Sequence, residues 1–160
     1  MKKTALLLVA ALSCMIVSAE KVHQKLPGTS FTGKKDLVET KEIKGAAGGK
    51  VARMTGKMVQ WGYVAYWFGI PAPEGKSIVR FKIYVDKDPI AVYAVYIKTE
   101  SEQKFIKKLE LPKDAKPGTF VTVDVPVESD AEWSGLILKK FEKNDKPGPW
   151  IDTVSIVLPE

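Results

Sequence analysis

Cysteine and histidine are almost missing from this chain, which has one of each in 160 residues. Cys14 lies within the N-terminal stretch MKKTALLLVAALSCMIVSAE, and His23 follows shortly after it. With no second cysteine there is no disulfide framework and no thiolate metal site. A Ser-His-Asp arrangement would have to recruit His23, which the sequence places in a mobile terminus rather than over a pocket. The sequence also lacks H-E-x-x-H, Gly-x-Ser-x-Gly and a Walker-type glycine loop, and with them the common zinc-protease, hydrolase and nucleotide chemistries. Gly45 to Gly49 is rich in glycine but has no phosphate-binding spacing, and reads as a flexible loop. After the N-terminal stretch no segment sustains an apolar period of 3.6 residues, so helices are short or absent. Basic residues are dispersed rather than gathered in a run, which argues against a disordered nucleic-acid-binding tail.

The first residues are the one long apolar feature. Lys2 and Lys3 precede a run from Ala5 to Val17, shorter than the roughly 20 residues needed to span a bilayer. Val17-Ser18-Ala19 then puts compact residues where a signal peptidase reads. Residues 1–19 are therefore expected to be a signal peptide cut before Glu20, giving a periplasmic or secreted protein. Two other readings stay open: a buried helix or membrane anchor, and lipoprotein processing at Cys14. Against the second, Leu12 stands one place too late in Ala11-Leu12-Ser13. Cleavage removes the only cysteine and lowers the formal charge of +6 to about +4. Residues 20–160 are a normal length for one domain. Export sets nucleic acid aside as a partner, cleavage sets membrane insertion aside, and a monomer is expected.

What the mature chain does have is alternation. Apolar residues recur with a period of two, broken by Gly, Pro, Asp and Asn, over Val51 to Thr55, Tyr63 to Ile70, Ser77 to Val85, Ala91 to Lys98, Lys104 to Leu111, Phe120 to Val127, Gly135 to Lys140 and Trp150 to Leu158. About eight such strands, rich in Val, Ile, Tyr and Phe, predict an all-β fold: a two-sheet antiparallel sandwich of the jelly-roll kind. Thr29 to Phe31 and Leu37 to Ile43 are candidates for extra edge strands, so residues 20–48 read as an N-terminal segment and 49–160 as the sandwich. Val79, Phe81, Ile83 and Val85 share one face of their strand, and Val121, Val123, Val125 and Val127 one face of theirs. One core face and one wet face is the antiparallel pattern.

Three places carry potential chemistry. In Trp61 to Ile70, Val64, Tyr66, Phe68 and Ile70 alternate with Trp61, Tyr63, Ala65 and Trp67. The first set is the more uniformly apolar and is assigned to the core. That leaves Trp61, Tyr63 and Trp67 either as an exposed aromatic row or as a second buried face under the N-terminal segment. Exposed flat rings stack on the C–H face of a sugar while polar neighbours bond its hydroxyls. Arg80, Lys82 and Tyr84, outward on the next strand, are candidates for those neighbours. Asp86 and Asp88 are the nearest pair of acids for a hydrolytic reading, or a solvated turn before Pro89. Asp152 is a lone acid assigned to the face of Trp150, Val154, Ile156 and Leu158, and it needs a partner there. A Ca²⁺ shared with backbone carbonyls and another acid is one answer. A salt bridge or hydrogen bonds from backbone amides is the other.

Gly49-Lys50-Val51-Ala52-Arg53-Met54-Thr55-Gly56, the aromatic strand ending in Pro71-Ala72-Pro73-Glu74-Gly75-Lys76, and the closing Trp150-Ile151-Asp152-Thr153-Val154-Ser155-Ile156 together resemble the carbohydrate-binding modules and galactose-binding-domain-like jelly rolls of secreted bacterial proteins. The resemblance spans residues 49–158. It implies a two-sheet sandwich, often with a structural calcium near the closing strand, and glycan on a concave sheet or at loop tips. Asp152 would match the calcium-binding acid, with Glu20, Asp36 or Glu39 as candidates for the second. The expected function is non-catalytic carbohydrate binding, with anionic glycans favoured by the basic charge. Trp61, Tyr63 and Trp67 would stack, and Arg80, Lys82 and Tyr84 would donate hydrogen bonds. The alternative is an envelope or surface module that binds protein through a sheet edge, and a third class is a small carboxylate hydrolase.

Overall fold

The computed structural model describes residues 20–159; the signal-peptide reading of residues 1–19 lies outside them. The strands in chain order are β1 (Lys21–Pro27), β2 (Phe31–Thr32), β3 (Val38–Glu42), β4 (Lys50–Met54), β5 (Tyr63–Ala72), β6 (Gly75–Tyr84), β7 (Tyr93–Thr99), β8 (Gln103–Leu109), β9 (Phe120–Ser129), β10 (Trp133–Lys140) and β11 (Trp150–Leu158), with one 3-10 turn at Lys35–Leu37. Every pairing is antiparallel. The first sheet runs β3-β4-β11-β6-β9, with β1 also beside β11, and the second runs β2-β5-β10-β7-β8.

All eight expected strands are present, and the count rises to eleven because the N-terminal segment supplies three more. Two of them, β2 and β3, fall at the candidate edge strands Thr29 to Phe31 and Leu37 to Ile43, whereas β1 was not foreseen. β1 (KVHQKLP) and β3 (VETKE) are mostly exposed and carry charge on both faces, so period-two reading finds little in them. They form because a neighbour is ready to receive them: β1 pairs with β11 from Lys21↔Leu158 to Pro27↔Thr153, and β3 pairs with β4. His23 is thereby fixed in a strand, with Nε2 donating to the Pro71 carbonyl at 2.9 Å. This corrects its reading as part of a mobile end.

The core forms where the inward faces meet. Val79, Phe81 and Ile83 of β6 and Val154 and Ile156 of β11 pack in one buried cluster with Val95 and Ile97 of β7 and Leu136 and Leu138 of β10. Each such side chain contributes about 1.5–3 kcal/mol by leaving water. Val125 and Val127 join them fully, while Val121 and Val123 are half-buried at the edge. Two irregularities flip the expected parity. Opposite Trp133 and Gly135 of β10, β5 advances from Ala72 to Trp67, so its extra residues bulge outward and Ile70 is exposed instead of buried. The freed backbone is met by β1, since Gln24 Oε1 accepts from the Ile70 N–H at 3.1 Å. In β11 the register shifts between Ile151 and Thr153. Ile151 therefore joins the core cluster with Val154 and Ile156, whereas Trp150 and Asp152 turn to the outer face, contrary to the expected grouping.

The glycine-rich stretch between β3 and β4 is also tighter than expected. Ile43 N–H donates to Gly49 O, Ala46 N–H to Ile43 O and Gly49 N–H to Ala46 O, which makes a closed turn rather than a flexible loop. A second tight point follows β1. Gly28 donates to Asp152 O at 2.7 Å, and its carbonyl accepts from the buried Tyr66 hydroxyl at 2.9 Å, which ties the two sheets together. A Cβ at Gly28 would stand 1.9 Å from the Ile151 carbonyl oxygen, a backbone atom that cannot rotate away. Gly28→Ala is therefore expected to destabilise by about 1–3 kcal/mol, read as a lower midpoint in thermal or urea unfolding; an unchanged midpoint would refute the close approach.

Candidate functional site

Strand alternation divides β5 cleanly over its first half. Val64, Tyr66 and Phe68 go to the core, while Tyr63 and Trp67 are 56% and 49% exposed on the outside of the second sheet. Trp61, just before β5, is 51% exposed. The aromatic row is thus open to solvent. The Trp67 ring is held at two points. Its Nε1 donates to Thr32 Oγ1 at 3.1 Å, and on the neighbouring strand it lies across Gly135, where a Cβ would stand 2.6 Å from Trp67 Cζ3 and 2.7 Å from Lys98 Cβ. Only glycine admits the ring there. Cross-strand register sets Lys139 beside Tyr63, and Ile137 between Ala65 and Tyr96.

The face extends beyond the expected row. Tyr96 of β7 packs on Phe105 of β8 with centroids 5.4 Å apart, and Lys139 Nζ lies 4.5 Å from the Tyr96 centroid. Trp61 packs edge-on against Phe141 at 5.6 Å, and Lys108 Nζ lies 4.0 Å from the Phe141 centroid. Along β5, β10 and β7 the outward positions hold Tyr63, Trp67, Lys139, Tyr96 and Lys98, with Ala65, Gly135, Ile137 and Ala94 between them. None is a carboxylate. At one end, Trp67 walls a cleft of about 730 Å³ that Lys98, Ser101, Glu132 and Ser134 also line. Sequence reading did not include Tyr96 or Lys98, although their alternation with Val95 and Ile97 was a usable signal. Gly135 and Thr32 gave no signal, because their role is defined only by the ring they meet.

Arg80, Lys82 and Tyr84 are not neighbours of this row. β6 belongs to the first sheet and β5 to the second, so the two outward faces lie on opposite sides of the sandwich. The assumption that consecutive strands lie side by side fails because the chain crosses between sheets after Ala72. Each of the three has local work. Arg80 bonds Asp124 and Glu20, both at 2.7 Å, and these bonds, Asp124 first, raise its pKa further above the ordinary value. Lys82 Nζ lies 4.3 Å from the Phe120 centroid, and the Tyr84 ring packs on Phe120 at 5.4 Å.

Asp152 resolves in the same region. Its Oδ1 accepts from the Ala47 N–H at 2.7 Å, and Lys82 Nζ sits 2.7 Å from Oδ2. The carboxylate is buried, and a lysine of the chain neutralises it. An ammonium at that distance occupies the place a cation would take, so these residues do not fit a calcium ion. Of the candidate second acids, Glu20 bonds Arg80 and Glu39 bonds Arg53 at 2.6 Å, and Asp36 sits in the 3-10 turn. Among the described residues no group of three or more His, Cys, Asp and Glu gathers to hold a metal. Asp86 and Asp88 are likewise committed to separate cations. Asp86 bonds Lys41 at 2.9 Å and accepts from Trp150 Nε1 at 3.2 Å, with the Lys41 bond chiefly holding its pKa below the ordinary value. Asp88 lies 3.8 Å from Arg53.

Comparison with known proteins rests on the fold. No family model matches the sequence, and no curated protein does. Solved structures do. A family 35 carbohydrate-binding module from Clostridium thermocellum superposes with a TM-score of 0.61 at 12% identity, over 85% of this chain and 99% of that one. The C-terminal family 6 module of LamC, a marine laminarinase from Zobellia galactanivorans, gives 0.55 at 17%, over 84% and 98%. A family 6 module of Cellvibrio mixtus lichenase 5A, solved with cellotriose, gives 0.57 at 11%, over 88% and 100%. The fold is the carbohydrate-binding-module jelly roll.

Because Lys82 does the work of a cation at Asp152, chelator is expected to leave the melting temperature unchanged. Lys82→Met should lower stability by about 1–3 kcal/mol, since it strands a buried acceptor. A melting temperature that falls with EDTA would overturn the assignment.

Proposed function

We propose that this chain is a non-catalytic carbohydrate-binding module that takes glycan on the outer face of its second sheet. The carrying observation is the row Trp61, Tyr63 and Trp67, each about half exposed on an otherwise ordered surface. Large rings are costly to leave in water, and here the Trp67 ring is fixed by Thr32 and seated on Gly135. A ring ordered before binding loses little entropy when a sugar stacks on it. The cleft beside Trp67 is lined by hydroxyl, ammonium and carboxylate groups. A fold shared with modules such as the one solved with cellotriose supports this reading.

The finer preference is for acidic glycans. Lys98 stands next to Trp67 and Lys139 next to Tyr63, and the outward positions of β5, β10 and β7 hold no carboxylate, Glu100 and Glu132 lying only in the cleft at the Trp67 end. Such a field favours uronate or sulfate groups and weakens with salt. In the same reading residues 1–19 direct export and leave before Glu20, so the domain meets polysaccharide outside the cytoplasm.

Native affinity electrophoresis against neutral β-glucans, polyuronates and sulfated polysaccharides tests both levels. Trp67→Ala is expected to weaken binding by about tenfold or more, equivalent to about 1.4 kcal/mol, with the melting temperature nearly unchanged. Lys98→Ala with Lys139→Ala should reduce retention by acidic polymers and spare neutral ones. Undiminished binding by Trp67→Ala removes the platform, and equal retention in all gels removes the acidic preference.

A further inference from the structure

Alternation along β10 puts Leu136, Leu138 and Lys140 on one face, and that face is the core. A lysine at an inward position, 0% exposed, requires an explanation, because an ammonium taken from water without acceptors is prohibitively costly. Its acceptors are all main-chain. Nζ donates to the carbonyls of Gly56 at 3.3 Å, Met58 at 3.0 Å and Asn144. Three donors meet three acceptors, which satisfies an ammonium completely. Burial lowers the Lys140 pKa, and Asp145 and Glu142 oppose that shift.

The three carbonyls come from two different connections, the one before β5 and the one after β10. Lys140 also holds the first of these through its backbone: Trp61 N–H donates to Lys140 O at 2.8 Å, and Lys140 N–H to Gly62 O at 2.9 Å. Trp61, with φ of 65°, is the one non-glycine residue of positive φ among the described residues. That conformation is unfavourable for a bulky residue and persists only when its surroundings over-determine it. The connection touches Lys140 at Gly56, Met58, Trp61 and Gly62, so it is anchored at both ends on one residue.

We propose that the Gly56, Met58 and Asn144 carbonyls form a cation site filled by the chain's own Lys140 ammonium, and that Lys140 is the positioning residue for the exposed Trp61. Its consequence for ligand rests on the glycan reading above; the site and the loop order do not. If the ammonium is what the cage requires, a small free ammonium ion must be able to replace it once the side chain is cut back. A merely space-filling role would not show that chemistry.

The test compares Lys140→Ala with Lys140→Met in methylammonium or tetramethylammonium chloride at equal ionic strength. Melting temperature and tryptic cleavage at the exposed Lys57 are followed. Lys140→Ala is expected to melt lower and to be cut at Lys57, and methylammonium should recover at least half of both losses. Tetramethylammonium, which has no N–H, should recover neither. Lys140→Met, which fills the space without charge, should not respond to either salt. Equal recovery by both salts, or a Lys140→Met protein as stable and as protected as the parent, overturns the proposal. Should neither variant fold, acetylation of the native protein decides. Lys140 is expected to react last, with chymotryptic cleavage after Trp61 appearing at the same rate; reaction as fast as the exposed Lys57 overturns the proposal. None of these readouts involves glycan, so a failure of the binding reading is distinguished by polysaccharide gels alone.

Discussion

A strand in a two-layer sandwich can give only alternate residues to the core, and the other half must be accommodated outside. Much of this protein's character follows from how it treats that outer half. The first sheet neutralises it: Arg80 with Asp124 and Glu20, Lys82 with Asp152, Arg53 with Glu39, Lys41 with Asp86. The second sheet does the reverse. It lines its middle with small residues, Ala65, Gly135 and Ala94, and leaves large rings half open around them. One face is occupied with its own contacts and the other is presented.

Internal charge is handled by one device used twice. Asp152 is a buried anion and the Gly56–Met58–Asn144 carbonyls are a buried set of negative dipoles; each would invite a metal ion. Each is answered instead by a lysine, Lys82 in one place and Lys140 in the other. A tethered ammonium is always at hand, so these contacts do not depend on ion concentration, but it offers three donors and one charge where a divalent ion would offer two.

The eight long strands and their inward faces were legible because hydrophobic alternation is a local signal that burial enforces strictly. The same rule put Trp61, Tyr63 and Trp67 on the face opposite the core, but whether that face was open or covered could be read only from the structure. Ile70, Trp150 and Asp152 were misplaced because a bulge adds a residue without changing composition, and parity after it is inverted. Arg80, Lys82 and Tyr84 were joined to the wrong face because adjacency in sequence does not reveal whether a chain turns back within a sheet or crosses to the other. β1 was invisible because its stability comes from β11, more than a hundred residues away. Lys140 was hidden for a related reason, since nothing local distinguishes an inward lysine from an outward one until its acceptors are assembled.

The pairing of β1 with β11 has a consequence for how the domain can be carried. Lys21 lies opposite Leu158, so the first and last strands leave the fold at one spot, in the sheet that does not bear the rings. A domain with its ends together can be circularly permuted through a short linker, or inserted whole into a loop of a larger host, with little disturbance to either. It can also be fixed to a support by either end in nearly the same orientation.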